Sequence, residues 1–588
     1  MAEPEPGLMA HILGRAAYEF SQMQPMLPVY LHLIASALFP IYAGAHASLS
    51  RPSSAAKPSG KKHRSGADND DDVDDEDEDE EEERVMEGLS PTDALLMPLF
   101  AGCALASLYF LLKWMKDAAL LNKILNGYFA IFGVFSVSRL VTDVLDIGHS
   151  IIFPRRYTLA GALYHVKARD QKAVPVAGNT KSASAIASPL PGFLARLPLS
   201  DGIRNMLWAD RAMPNNKWTL RMYIHRLAAG RTKIGPHGIV GLLAGLITVA
   251  YFNLVDKPWY LTNLLGFGFS YGALQLMSPT TFATGSLILG ALFFYDIYFV
   301  FYTPMMVTVA KSLDVPIKLM FPRPPSPNEA ANAPTHAMLG LGDVVLPGIM
   351  IGLALRFDLY LFYLRRQKLI SATKEGDSDT VEKPHYYSLA GRWSDHFWTH
   401  SLVGRPLWPS VQAHGSESEA PFTFPKVYFQ ASLAGYVLGL LATLGVMMIW
   451  NHAQPALLYL VPGVLSSLWL TAWVRGELNL MWEFTEDIGE EEKSKKKSDD
   501  ETAKDTLGRE DASKVADEEE RSDHFKRLSS NRPEREVLSF SIEAPWKLRQ
   551  PPSVRKSDVT YAESGDQNWA PSKIVADIEP AGKRVRLK

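Results

Sequence analysis

The sequence predicts an all-α membrane protein of about nine transmembrane helices, and three observations carry that expectation. Apolar stretches long enough to cross ~30 Å of hydrocarbon recur along the 588 residues. Asp, Glu, Lys and Arg crowd into the segments between them, a segregation that soluble chains do not show. Two carboxylates nevertheless stand inside apolar runs, where an ionisable side chain costs at least ~2.5–3.5 kcal/mol on insertion scales and calls for a function.

The candidate spans lie near Met26–Leu49, Leu95–Trp114, Ile124–Val144, His237–Val255, Trp259–Met277, Phe282–Tyr302, Ala337–Leu364, Val427–Trp450 and Pro455–Val474. An odd number of spans puts the two termini on opposite sides. Met1–Gln24 lacks a basic stretch leading into a short apolar core with a small-residue cleavage site, so no removable signal peptide is expected. The single cysteine, Cys103, allows no intramolecular disulfide and is expected to be a small buried core residue.

Charge between the spans orients the chain. Arg51 to Arg64, Arg155 to Lys233 and Arg365, Arg366 and Lys368 are rich in basic residues, whereas Asp256–Lys257 and Asn451–Gln454 are nearly bare. Lys and Arg near span ends favour the cytosol, so the N-terminus is expected in the lumen and the C-terminus in the cytosol. Lys311, Lys318 and Arg323 dissent mildly. The organisation is then a lumenal N-terminus over 1–25, a nine-helix core over 26–475 with cytosolic inserts 50–94, 147–236 and 365–426, and a cytosolic tail over 476–588. Asp68–Glu83, Gln367–Glu419 and Glu483–Lys588 are acidic or mixed-charge with little apolar surface, so inserts and tail are expected to be disordered. The net charge of -4 identifies no partner. Nucleic acid is not expected as one; the bilayer and transmembrane peptides are, and a homo-oligomer or partners in membrane-protein degradation stay open.

The chemistry is placed by Asp296, within Leu-Phe-Phe-Tyr-Asp-Ile-Tyr-Phe-Val-Phe, and Asp343, within Gly-Leu-Gly-Asp-Val-Val-Leu-Pro-Gly. Consecutive antiparallel spans share the face at which their loop emerges. Asp296 lies eight residues before Pro304 and Asp343 seven after His336. At ~1.5 Å per residue both sit roughly 10–12 Å in from that face, so the two carboxyl groups can meet at one level. Two carboxylates held together in a low-dielectric site do not both ionise, so one keeps a proton and the pair supplies an acid and a base. The ionised member can take a proton from water attacking a peptide carbonyl, and the protonated member can donate to the oxyanion and the leaving amine. No metal or cofactor is required, and there is no His or Cys cluster with metal-ligand spacing near the two aspartates.

Neighbouring residues carry weaker signals. Gly340 and Gly342 permit close backbone approach beside Asp343, which packing in lipid explains equally well. Pro347 removes the N–H that would bond the carbonyl of Asp343, loosening the backbone where water must enter. Tyr295 and Tyr298 are either packing aromatics or hydroxyl donors. Pro455 before Ala456 and Leu457 is an ordinary helix start taken alone. Arg139 is expected to snorkel, and His32 and His452 to lie at the interface.

With Tyr295-Asp296, Gly340-Leu341-Gly342-Asp343 and Pro455-Ala456-Leu457 in this order on the sixth, seventh and ninth spans, the chain resembles the presenilin and signal peptide peptidase superfamily. Met306–Lys311, Pro316–Leu319, Ala337–Pro347 and His452–Pro462 extend the likeness to signal peptide peptidases. The resemblance implies a presenilin-like intramembrane aspartyl protease fold, with Asp296 and Asp343 as the catalytic pair. It implies that Tyr295, Gly340, Leu341 and Gly342 flank the site, and that Pro455, Ala456 and Leu457 shape it and receive substrate. It also implies residence in the endoplasmic reticulum membrane and cleavage of remnant signal peptides and other type II membrane segments. The long inserts, the tail and the lack of an Asn-x-Ser/Thr sequon depart from the family pattern. Paired intramembrane carboxylates also serve ion- and proton-coupled transporters, but no inverted repeat supports a carrier. A non-catalytic scaffold that captures membrane segments is the remaining alternative.

Overall fold

In the computed structural model of the chain, residues 27–56, 86–115, 118–180, 183–224, 228–313, 315–322, 336–370, 380–384, 386, 393–401, 405–408, 424–450, 454–486 and 538–545 are described. The residues before Leu27, the acidic run Asp68–Glu83, His452 and the basic end Lys583–Lys588 lie outside them.

Among the described residues nine long helices follow one another: Leu27–Ala47, Pro91–Met115, Ala118–Ile152, Pro236–Leu254, Trp259–Leu276, Phe282–Ile297 with a π-helical turn Tyr298–Tyr302, Gly342–Leu364, Val427–Trp450 and Leu457–Arg475. Eight are long and apolar enough to cross a membrane. The fifth, Trp259–Leu276, falls short because Thr262, Asn263, Ser270 and Gln275 lower its hydropathy, and all four are buried against protein rather than lipid.

The seventh helix is the hub. Its apolar residues are spread around all sides, as in a helix surrounded by others, and 83% of its most apolar stretch is buried. The first, fifth, sixth, eighth and ninth helices pack around it. The third and fourth helices form a separate close pair through Gly241 and Gly245; a Cβ at Gly245 would lie 2.6 Å from the Val134 carbonyl oxygen. The second helix is peripheral, with Ala94 as its buried residue, so Cys103 faces outward and not into a core as the sequence suggested.

Alternate helix ends share a face. On one face, Ser54 donates to the Tyr360 carbonyl at 2.9 Å, Arg365 meets Glu477 at 2.5 Å, and Glu87–Leu89 pairs in parallel with Met277–Pro279. On the opposite face, Lys318–Pro322 and His336–Gly340 form an antiparallel hairpin, which Asn263 holds by bonds of 2.8 and 2.7 Å to the Met320 backbone. This hairpin corrects the seventh span. Its expected first residues, Ala337–Gly340, are a strand, and the helix begins only at Gly342. Asp343 therefore sits in the first helical turn, and counting helical rise from His336 does not give its depth.

The expected disorder does not hold for the described parts of the inserts and tail. Arg156–Leu159, Ala162–Lys167 and Lys172–Gly178 form an antiparallel sheet. Tyr157, Tyr164, Val166 and Ala173 from it pack with Trp208 of helix Asp201–Ala212 into a small core. A second sheet joins Trp218–Ile224 and Ala228–Ile234 to Leu538–Glu543 of the tail. Alternation of large apolar with polar residues over so few positions is too short to distinguish such strands from loop in the sequence. Tail residues Leu478–Glu483 form a further short helix.

Candidate active site

Asp296 is the next-to-last residue of its α-helix, just before the backbone widens into the π-helical turn Tyr298–Tyr302, a distortion frequent at functional sites. Its side chain is buried, the residue being 3% exposed, and its Oδ2 accepts the backbone N–H of Leu457 at 3.1 Å. The partner is supplied by local sequence. Leu457 opens the ninth helix after Pro455-Ala456, and the first N–H groups of a helix have no intrahelical acceptor. A carboxylate at that point satisfies one of them and lies at the positive end of the helix dipole. Pro455 and Leu457 are buried, and Pro455 and Ala456 carbonyls accept from Leu458 at 3.3 Å and from Tyr459 and Leu460 at 3.2 Å each.

Asp343 approaches from the seventh helix, half-buried and near enough for its carboxyl group to interact electrostatically with Asp296. The two glycines before it differ. A Cβ on Gly340 would come within 3.3 Å of Asp343 Oδ2, whereas one on Gly342 would find open space except for Leu346 at 3.9 Å. Gly340 thus makes room for the carboxylate, and Gly342 leaves an uncovered approach beside it. Leu341 fixes the motif by donating its N–H to the Ile317 carbonyl at 3.1 Å and accepting from Val344 and Val345 at 3.1 and 2.9 Å.

The carbonyl that Pro347 frees finds a donor that the sequence did not reveal. Tyr436 of the eighth helix, fully buried, directs its hydroxyl to the Asp343 carbonyl oxygen at 3.3 Å. The eighth and ninth helices can bring Tyr436 and Leu457 to one site because Gly435 and Gly463 meet backbone to backbone; a Cβ on Gly463 would sit 2.5 Å from the Gly435 carbonyl oxygen. Tyr436→Phe strands that buried carbonyl, at a cost of about 1–3 kcal/mol. The expected result is a lower melting temperature in detergent together with slower peptide cleavage; an unchanged melting temperature would show that the hydroxyl is not needed there.

Among the described residues, the other candidates make no hydrogen bond to either aspartate. Tyr295 lays its ring 4.6 Å from that of Phe299, Tyr298 is exposed, and His32 lies between Trp259 and Phe321 at 5.9 and 5.2 Å. Arg139 is exposed on the third helix. Among the described residues no group of three His, Cys, Asp or Glu is placed to hold a metal ion.

Two charged residues of the seventh helix escaped the sequence reading. Arg356, at the end of the helix away from Asp343, is 4% exposed. It donates to Ser48 at 2.7 Å and Ser278 at 2.5 Å and pairs with Glu486 at 2.5 Å. Ser278 also bonds Glu486, whose N–H donates to the Thr280 carbonyl at 2.9 Å. Thus the helix of Asp343, the segment leading into the helix of Asp296, and the chain following the ninth helix are tied together at one point. Asp358, two residues on, accepts the Tyr428 and Phe429 N–H groups at 3.2 and 2.9 Å and so caps the eighth helix.

The family model described as signal peptide peptidase matches residues 79–488. A probable intramembrane protease of Saccharomyces cerevisiae is 27% identical over 441 residues, covering 71% of this chain and 64% of the relative. Intramembrane protease 2 of Caenorhabditis elegans is 35% identical over 246 residues, 42% of each chain. The human signal peptide peptidase is 28% identical over 401 residues, 68% of this chain and 74% of the relative. The match therefore spans less than two thirds of the yeast and worm proteins. No solved structure matches the chain.

Proposed function

Because the chain belongs to the signal peptide peptidase family, we propose that it is an aspartic endopeptidase that cuts type II-oriented transmembrane segments, remnant signal peptides among them, within the endoplasmic reticulum membrane. The reading rests above all on one observation: the buried Asp296 carboxylate, held by the Leu457 N–H, lies in electrostatic reach of Asp343. A carboxylate facing a backbone donor at a helix start is suited to carry the negative charge, which makes Asp296 the base and Asp343 the holder of the shared proton. Asp296 takes a proton from water as its oxygen bonds to the peptide carbonyl carbon, and Asp343 gives its proton to the carbonyl oxygen. Asp296 then passes the proton it took from water to the amide nitrogen while Asp343 takes one back from a gem-diol hydroxyl, and the C–N bond breaks, leaving a carboxylic acid and an amine. The open side of Gly342 is the route by which a peptide backbone reaches the pair. In this reading the N-terminus is lumenal and the C-terminus cytosolic, as the loop charges favour.

Purified protein in detergent, given a type II membrane peptide, tests the reading: mass spectrometry should find fragments cut within the apolar segment. A transporter or a scaffold yields none. A peptide bond in an intact helix has its carbonyl bonded and its backbone shielded, so unwinding precedes attack. Replacing Gly, Ser or Pro in the cleaved segment by Leu should slow cutting several-fold, and equal rates across such a series would remove local unwinding from the mechanism.

A further inference from the structure

The sheet formed by the hairpin Trp218–Ile224/Ala228–Ile234 and the tail strand Leu538–Glu543 is two-sided. Its register sets Phe540 opposite Met222 and Ile542 opposite Leu220. Directly paired residues share a face, and alternate residues of one strand do likewise. Trp218, Leu220, Met222, Leu538, Phe540 and Ile542 therefore line one side. Leu220 is half-buried, and the other five are between 44 and 66% exposed. Thr219 and Tyr223, on the other side of the hairpin, are buried. The polar side is covered at Thr219 and Tyr223 and otherwise carries the half-buried Arg221 and the exposed Ser541 and Glu543, while the apolar side is left uncovered, which marks a surface with a partner.

The chain itself indicates what that partner is. Ile234 ends the second strand, and after Gly235 the fourth membrane helix begins at Pro236. Lys217, one residue before Trp218, pairs at 3.9 Å with Asp146 of the third helix, and Asp146 also bonds His237 Nδ1 of the fourth at 2.6 Å. The base of the sheet is thereby fixed to the ends of two membrane helices, whose Ile151, Ile152, Ile239 and Val240 are themselves exposed. Apolar residues are thus exposed both on the sheet and at the helix ends to which it is joined, and Trp218, at its base, is the residue type that favours the membrane interface. Along the tail strand Ser539, Ser541 and Glu543 point away from the apolar side, with Glu543 paired to Arg221 at 3.0 Å.

We propose that this sheet is a membrane-surface element whose apolar side lies in the headgroup–acyl boundary of the bilayer that the helices cross. The tail strand supplies half of the inserted residues, so the tail is anchored at the membrane beside the bundle. Such an element binds the interface by its apolar face while its polar face remains with protein and water.

The test uses the full chain with Cys103→Ala and one new cysteine, Phe540→Cys, Met222→Cys or Ser541→Cys, carrying an environment-sensitive fluorophore. Each protein is reconstituted in phosphatidylcholine–phosphatidylserine vesicles containing lipids with a nitroxide at a shallow acyl position. Labels at Phe540 and Met222 should be quenched several-fold more than the label at Ser541, and should resist a soluble quencher. Equal quenching at the three sites overturns the proposal. So does a Phe540 or Met222 label that ignores the lipid nitroxide but changes when the protein is diluted in lipid, because the occupant is then a second copy. The readout is lipid contact, so it stands or falls independently of cleavage.

Discussion

Replacing Asp296 or Asp343 by Ala is expected to abolish cleavage, a fall of at least about a thousandfold, while the protein stays inserted and folded. The two carboxylates differ in surroundings and hence in role. Asp296 is buried on the Leu457 N–H, and Asp343 is half-buried beside the open side of Gly342. A lone carboxyl group supplies an acid or a base but not both at one moment, so neither residue substitutes for the other. Cleavage of the type II peptide by each purified variant is the measurement, with thermal unfolding as the control for folding. Near-normal turnover by either variant would break the assignment. The alanine variants differ in one further respect: Asp296→Ala also leaves the Leu457 N–H without its acceptor, so it should lower the melting temperature more than Asp343→Ala.

Arg356→Met is expected to be the most destabilising single change, by about 3–5 kcal/mol, because it leaves Glu486 as an uncompensated buried charge. The side chains of Arg356 and Glu486 are 4 and 8% exposed, so solvent screens the pair little. Ser48 and Ser278 lose their donor as well. Removing both charges, with Arg356→Met and Glu486→Gln together, should recover a large part of the loss, since replacement of a whole buried pair is far less costly than breaking it. Thermal unfolding in detergent of the two single variants and the double variant measures this. Melting temperatures that simply add would show that the two residues act independently. Activity should follow stability here, because the cluster joins the helix of Asp343 to the segment that leads into the helix of Asp296.

The sequence made the aspartates conspicuous because ionisable groups deep in apolar runs are rare. Arg356 and Asp358 were not conspicuous for the opposite reason: they stand a few residues before Arg365 and Arg366, where charges near a span end are ordinary. The strand His336–Gly340 was merged into the seventh span because a short apolar run next to a helix has no period of its own. Pro347 did point to a loosened carbonyl on Asp343, but the donor that meets it, Tyr436, lies 93 residues away in the chain and carries no local mark. The link from Asp296 to Leu457 is of the same kind, a contact 161 residues apart that depends on how three helices pack. What the sequence showed was the chemistry each residue could offer, and the fold decided which of them meet.

The pH dependence of cleavage addresses the pairing of Asp296 and Asp343 most directly. Initial rates at saturating substrate are followed from about pH 4 to pH 9, with folding checked at both ends of the range. One proton shared between two carboxylates predicts a bell, with a limb lost to double protonation at low pH and a limb lost to double ionisation at high pH. The two apparent values belong to the pair rather than to either residue. A rate that stays level across the whole range would contradict a one-proton pair.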